Sequence, residues 1–287
     1  MMWRKPGTPS ISLISLALFF CLSSPISLAA GVNWTWVNPV PQGNNLQHAV
    51  FGNGLFVTVG DNGSILTSAD GISWTSRTSG TSSNLWSIVW NGAQFVATGD
   101  GGNILTSNNG TAWTSRNSGT VKPLYGIAWD GTQFVATGAN GSILTSTDAI
   151  TWTSRSSGTT QPLYGLVWDN GQFVAAGKNG VILTSPDGIT WSSQTSGTTN
   201  WLRDIAADGS QYIAVGEQGT VLTSPDAVTW TSRTSNTQDT LHGITWDNTT
   251  SQFVITGFAG TILSSPDGVN WTVQTSGTAN ILYAITA

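Results

Sequence analysis

A unit of about 39 residues repeats along this chain, and a repeat of that size fixes the architecture before any single motif does. Residues 124–155 read LYGIAWDGTQFVATGANGSILTSTDAITWTSR and residues 163–194 read LYGLVWDNGQFVAAGKNGVILTSPDGITWSSQ, in identical register. The tryptophan closing each unit falls at Trp34, Trp74, Trp113, Trp152, Trp191, Trp230 and Trp271, at spacings of 40, 39, 39, 39, 39 and 41. The last interval is longer because Asn248-Thr249-Thr250-Ser251 extends a turn by two residues.

Each unit holds four short apolar runs separated by turn residues, the signature of strands. In the unit around residue 140 these runs predict strand a at Leu124–Trp129, b at Gln133–Thr137, c at Ser142–Thr145 and d at Ile150–Arg155. Asp130-Gly131 and Asn140-Gly141 tolerate positive φ and suit two-residue hairpins between a and b and between b and c. Four antiparallel strands make one propeller blade, and a lone blade cannot bury both faces, so blades must stack radially. Ile127, Trp129, Phe134, Ile143 and Trp152 are then expected between blades. The composition agrees: 34 Gly and 15 Trp in 287 residues favour an all-β chain with tight turns.

The first thirty residues stand outside the repeat. Arg4 and Lys5 precede an apolar run from Ile11 to Leu22, followed by small residues through Ala30. This reads as a secretory signal peptide, residues 1–30, with the propeller over 31–287. The run is too short for the roughly 20 residues of a spanning helix; a retained anchor is the alternative. Bulky Leu18-Phe19-Phe20 before Cys21, the single cysteine, do not suit a lipidation site. Cleavage would leave no cysteine and no membrane span, so packing alone must hold the fold. The 257 residues after residue 30 hold about 6.6 units of 39. The excess is a lone strand d at Val32–Val37 and a lone strand a at Leu282–Ala287, read as two parts of a split, incomplete seventh blade in a truncated seven-bladed chain. A six-bladed ring with two accessory strands is the alternative.

Between strands c and d each unit carries Ser-x-Asp-Gly-x-Thr-Trp or a variant. The instances are Ser68, Asp70 and Trp74; Ser107, Asn109 and Trp113; Ser146, Asp148 and Trp152; Ser185, Asp187 and Trp191; Ser224, Asp226 and Trp230; and Ser265, Asp267 and Trp271. A short Asp in a tight turn accepts N–H bonds from two or three residues on. This pattern resembles the Asp-box, or BNR, repeat, usually Ser-x-Asp-x-Gly-x-Thr-Trp, and covers the whole repeat region. Here Gly follows Asp directly, Ala149 and Ala227 replace that Gly, and Asn109 replaces Asp. An amide in place of a carboxylate argues against a cation at each box. Asp-box propellers include sialidases and other glycosidases, sorting receptors, and the photosystem II stability and assembly factors. The present units look most like the last group and its bacterial secreted relatives, which implies a non-enzymatic protein-binding scaffold.

Charge removes other classes. Charged residues are 8% of the chain against roughly 25% ordinarily. The net charge of −5 lacks the basic footprint of a nucleic-acid binder. Glycosidases need two carboxylates facing one sugar. Glu217 is the one Glu, eight of the thirteen Asp serve as turn formers, and the remaining acids, Asp61, Asp100, Asp204, Asp208 and Asp239, are scattered. Arg77, Arg116, Arg155 and Arg233 recur three residues after their box Trp and read as solvated charges on the outer strand, or as a basic stripe for an acidic partner. His48 and His242 have no neighbouring Cys or His, and no zinc, phosphate-cradling or other cofactor motif is evident.

What varies in a near-uniform repeat marks candidate specialisation. The second residue of strand a runs Gln47, Trp86, Tyr125, Tyr164, Arg203, His242, Tyr283, and the second residue of the b-to-c turn runs Asp61, Asp100, Ala139, Lys178, Glu217, Phe258. Both sets fall toward the rim opposite the Asp-boxes. Trp86, Tyr125, Tyr164, Arg203, His242, Lys178 and Glu217 are therefore the candidate binding rim, since Trp, Tyr and Arg supply most interface hot spots. Interblade filling and free turn variation are the plain reading of the same residues. The chain is expected to be an exported, monomeric, non-enzymatic propeller (periplasmic, lumenal or extracellular) that binds a protein partner or a glycan, with no nucleic acid and no catalytic, metal or cofactor site. A carbohydrate-binding or sialidase-like glycoside hydrolase is the alternative, and a module of a larger surface protein a third possibility.

Overall fold

The computed structural model describes residues 43–286, together with the backbone of Trp3–Arg4, Ser12–Ser15 and Phe20–Cys21. The expected signal peptide, apart from those short segments, and the expected strand at Val32–Val37 with Trp34 lie outside the described residues. Among the described residues no helix is long and apolar enough to cross a membrane.

Six sheets of four strands follow one another, each in the antiparallel order a-b-c-d. In blade 3 these are Leu124–Trp129, Phe134–Gly138, Ile143–Ser146 and Thr153–Arg155. Strand a is Leu46–Gly52, Leu85–Trp90, Leu163–Asp169, Leu202–Ala207 and Leu241–Asp247 in blades 1, 2, 4, 5 and 6. These strands lie side by side around an axis, and Leu282–Thr286 stands between those of blade 6 and blade 1. The chain is a β-propeller of six four-stranded blades, with one half of the expected split seventh blade present as a seventh inner strand.

Strand limits depart from the sequence expectation where turns are longer than two residues. The b-to-c connection of blade 3 is a three-residue turn, Ala139–Gly141, with Asn140 at φ 55° and Gly141 at φ 68°. The Gly138 N–H donates across it to the Ser142 carbonyl at 2.9 Å. Strand d begins at Thr153 because the box turn runs through Trp152. A two-residue a-to-b hairpin does occur in blade 4, with Asn170 at φ 47° and Gly171 at φ 76°.

The apolar residues of each blade meet the neighbouring blade. Ile127 and Phe134 pack with Val96 and Ile104 of blade 2, and Ile143 packs with Leu163 and Phe173 of blade 4. Trp129 and Trp152 close the edges of that layer, their rings 4.3 and 6.4 Å from Phe134. The leucine that opens strand a is at most 1% exposed in all seven copies. Burying a Phe or Leu side chain contributes about 1.5–3 kcal/mol.

The box turns are built as their residues dictate. In the fourth box, Asp187 Oδ1 accepts the Ile189 and Thr190 N–H groups at 2.8 and 2.7 Å, and the Ser185 hydroxyl donates to it at 3.0 Å. The Trp191 indole N–H donates to the Gly188 carbonyl at 3.0 Å. Asn109 does the same work through its single carbonyl oxygen, at 2.9 and 3.0 Å to Thr111 and Ala112. Only one oxygen is needed, which is why an amide is tolerated. Backbone N–H donation from Thr151, Thr190 and Thr229 holds Asp148, Asp187 and Asp226 below the ordinary carboxylate range.

The recurring arginines are half-buried rather than solvated. The Nε–H of Arg77, Arg116, Arg155 and Arg233 donates to a strand-c threonine hydroxyl at 2.8–2.9 Å. Gln194 and Gln274 occupy the equivalent positions and donate to Thr184 and Ser264 at 2.9 Å. What repeats is a cross-strand donor, with or without a charge.

Two outcomes follow for stability. Gly110 and Gly268 both hold positive φ in box turns, but a methyl group would meet Val57 Cγ2 at 3.2 Å in the first and Ile213 Cδ1 at 2.4 Å in the second. Gly268→Ala is expected to cost about 1–3 kcal/mol and more than Gly110→Ala, read as denaturant midpoints at constant m. Asp187→Ala is expected to lower the melting temperature by about 2–4 °C, the effect of roughly 1 kcal/mol in a domain of this size. Asp187→Asn should leave it near the parent value at neutral pH, as Asn109 does in its own box; equal losses for the two variants would contradict the single-oxygen account.

Candidate functional site at the axial mouth

Strand a carries a β-bulge at its second residue in every blade. In blade 3, Leu124 pairs with Gly138 and Gly126 with Thr137, so Tyr125 has no cross-strand partner. The same shift brackets Gln47, Trp86, Tyr164, Arg203 and His242. A bulge re-aims a side chain. Here it lets the first leucine enter the core while the second residue turns toward the axis. The variable set therefore lines the upper end of one axial cavity of about 930 Å³, together with Tyr283 of the seventh inner strand.

The b-to-c turns lie on the same rim, tied to the d-to-a loops by the Ala139 N–H, which donates to the Pro123 carbonyl at 2.9 Å, and its counterparts. Residues fourteen apart in sequence therefore meet across the rim. Gln47 donates to Asp61 at 2.9 Å, the Trp86 indole N–H to Asp100 at 2.7 Å, and Arg203 to Glu217 at 2.7 Å. Asp61 also accepts the Asn45 amide at 2.7 Å.

Aromatic rings form an arc around half of the mouth. Trp86 meets Tyr125 edge-on at 5.8 Å, Tyr125 meets Tyr164 at 5.1 Å, and Tyr164 stacks on Trp201 at 6.1 Å. The Arg203 guanidinium lies 4.7 Å from the Trp201 centroid and 5.4 Å from that of Tyr164, and Lys178 Nζ lies 4.4 Å from Trp201. On the far side His242 meets Tyr283 at 5.1 Å. All seven candidate rim residues are thus gathered into this mouth or its edge.

Three residues of this region were not singled out from the sequence. Trp201 occupies the d-to-a position filled by proline in blades 3 and 4, Pro123 and Pro162. Asp204 and His48 occupy the third position of strand a, which is glycine at Gly126, Gly165 and Gly243. A methyl group at Gly126 would lie 2.8 Å from the Tyr164 carbonyl of the next blade. At this level adjacent inner strands nearly touch, and a longer side chain must enter the seam. His48 Nδ1 accepts the Ile88 N–H at 3.4 Å, and Asp204 Oδ2 accepts the Ile244 N–H at 2.9 Å, each bridging to the following blade. The same column-by-column comparison that isolated the rim would have isolated these positions.

Burial pushes both imidazoles down to about 4, with the Arg203 charge adding to the effect at His242. Burial pushes Asp204 up to about 7, against its two backbone donors. Among the described residues, no three His, Cys, Asp or Glu side chains converge to hold a metal ion.

No protein-family model matches the sequence, and neither does any curated protein. Solved structures share the fold. YCF48 from Cyanidioschyzon merolae is similar at 15% identity and a TM-score of 0.66, over 85% of this chain and 88% of that one. YCF48 bound to D1 peptide is similar at 17% identity and a TM-score of 0.67, over 82% of each chain. A chain of the nidogen/laminin complex is similar at 14% identity and a TM-score of 0.61, over 80% of this chain and 97% of that one. The likeness is one of architecture: at this level of identity it shows a shared β-propeller fold.

The electrostatics carry a measurable sign. The two histidines are neutral in the fold and take up protons on unfolding below about pH 6.5, so their contribution to stability is lost as pH falls from about 6.5 toward 4. Asp204 acts in the opposite sense, contributing below its unfolded pKa and losing that contribution as pH rises through about 7. Arg203→Ala is expected to raise the His242 pKa above about 4 while leaving it below 6.5, since burial is the larger cause. Imidazole proton shifts followed by NMR check this; an unmoved His242 would show that Arg203 does not act on it.

Proposed function

We propose that this chain is an exported, non-enzymatic β-propeller that binds a protein partner through the upper axial mouth, as an assembly or docking scaffold. The observation that carries this reading is the bulge-directed ring of Trp86, Tyr125, Tyr164 and Arg203, with Trp201 beside it, on a cavity of about 930 Å³. Aromatic and arginine side chains held on rigid strands are the residue types that dominate binding energy. Two structural neighbours add support: YCF48 was solved bound to a D1 peptide, and the third similar chain belongs to a nidogen/laminin complex. Export rests on the leader-like residues 1–30, and absence of catalysis on how the rim acids are committed. Asp61 is held by two amides, Asp100 by an indole and Glu217 by Arg203.

A second reading has one specific observation behind it. Asp61 and Asp204 line the same cavity as Trp86 and Tyr125, and rings beside carboxylates suit a sugar. Glycan arrays and fluorogenic glycosides test that alternative directly.

The test of the leading reading is affinity capture from the native host with the purified propeller. Trp86→Ala, Tyr125→Ala and Arg203→Ala are each expected to weaken the captured interaction about 30-fold, the scale of a 2 kcal/mol hot spot. Asp187→Asn on the opposite face should leave it unchanged. Capture that survives all three rim changes and is lost with box-face changes would sink the assignment.

A further inference from the structure

The charge inside the cavity selects the kind of group that can enter it. Apart from the phenols of Tyr125, Tyr164 and Tyr283, the charged or titratable side chains among its lining residues are Asp61, Arg203, Asp204 and the two histidines. Both histidines are neutral at physiological pH. The Arg203 charge is balanced by Glu217, to which one Nη donates at 2.7 Å, the ion pair found among the described residues, while its Nε is buried without a partner there. Asp61 receives only amide donors and Asp204 only the N–H groups of Ile205 and Ile244. Two carboxyl groups therefore face the cavity with no cation paired to them among the described residues; burial raises Asp204 to about 7, and a cation arriving beside it favours its ionised form. An entering anion would meet both.

The aromatic arc points the same way. The rings of Trp201 and Tyr164 already serve as platforms for the protein's own cations, Lys178 and Arg203. Trp86 and Tyr125 present comparable rings to the cavity with no cation over them among the described residues. A ring face, a carboxylate and room for a long side chain together favour an ammonium or guanidinium group, whose methylenes lie on the rings while its charge is matched.

Resting on the reading of the mouth as a protein-binding site, we propose that the cavity receives a lysine or arginine side chain from an extended segment of the partner, seated on Trp86 and Tyr125 with its charge set against Asp204. The pairing differs from a surface salt bridge. Asp204 is held in the seam between blades 5 and 6, so it is already desolvated and already oriented by two backbone donors. A cation that reaches it gains more than it would at an exposed carboxylate, where such pairs contribute little.

The experiment uses the ¹⁵N-labelled propeller and two capped peptides, Ac-GSKSG-NH2 and Ac-GSESG-NH2, with the Trp86 indole N–H and the amides of Tyr125, Asp204 and Ile244 as reporters. The lysine peptide is expected to shift these signals and to bind at least about fivefold more tightly than the glutamate peptide, the scale of one partly desolvated cation contact. Asp204→Asn, which keeps an oxygen acceptor for Ile244, should reduce that affinity about fivefold while its melting temperature stays within a few degrees of the parent. Should the variant unfold, Asp61→Asn and Trp86→Ala, both at the mouth, carry the same comparison. Tighter glutamate binding at the mouth overturns the cationic assignment and leaves the mouth as the binding site. Shifts confined to the box turns with both peptides overturn both. A lysine peptide that leaves the mouth signals unmoved at about 10 mM, well above a millimolar dissociation constant, also overturns the proposal.

Discussion

A four-stranded blade of this sequence is apolar on both faces, and the whole structure follows from the need to cover them. Val96 and Ile104 of one blade meet Ile127 and Phe134 of the next, which in turn offers Ile143 to Leu163 and Phe173. No blade is covered without two neighbours. Closure must therefore be circular, and the seventh inner strand, Leu282–Thr286, places Ala284 against Leu46 and Ala49 where the ring returns to its start. Packing bears this load: the five interfaces between complete blades repeat one apolar set, and a smaller cluster joins the seventh strand to blade 1.

Circular closure brings seven copies of strand a to one axis, and the bulge decides what those copies show there. A regular strand would alternate strictly, sending every second residue to the same face. With the bulge, the opening leucine turns into the packing, the third residue lies in the seam against the next inner strand, and the second residue is released to the mouth. Scaffold and site thus occupy adjacent positions of one strand without competing. The leucine remains the same in all seven copies while its neighbour runs from Gln47 to Trp86 to Arg203.

Much of this was legible in the sequence because a repeat is its own reference. The spacing of the box tryptophans marked six complete units in order, with a split seventh blade or a six-bladed ring left open, and the two variable columns led to the rim. Detail was lost where local chemistry had two solutions. Asn140-Gly141 reads as a two-residue hairpin, yet Gly138 closes on Ser142 to form a three-residue turn, because the turn must also reach the Pro123 carbonyl. Arg155 reads as a solvated charge on the outer strand, yet it is half-buried and its Nε–H donates to the Thr145 hydroxyl. Asp204 read as one scattered acid among several. Its meaning came from the close approach of adjacent inner strands, a distance that no spacing in the chain encodes.

Blade 5 is where the departures gather, and their grouping is the strongest internal argument for a specialised site. Trp201 is the one ring in a column of Asn45, Asn84, Pro123, Pro162, Thr240 and Ile281, Asp204 stands where blades 3, 4 and 6 have glycine, and Ala207 where blades 2, 3, 4 and 6 have Trp90, Trp129, Trp168 and Trp246. Arg203 and Glu217 form the ion pair across its rim. These changes work against the packing logic of the other blades: Asp204 brings a carboxyl into a seam made for glycine, and Ala207 gives up aromatic area. Stability alone would favour the recurring glycine at 204 and the recurring tryptophan at 207. Free drift would scatter such substitutions over the disc, including the box face and outer strands. Instead, Trp201, Arg203, Asp204 and Glu217 cluster at the mouth or in the seam beneath it, and Trp201 joins the ring arc through Tyr164 to Tyr125 and Trp86. A scaffold whose changes on the box face and outer strands, such as Asn109, Gln194 and Gln274, keep the local hydrogen bonds, while those along one inner strand bring charge and rings to the axis, has an axis of use, and that axis runs through the cavity.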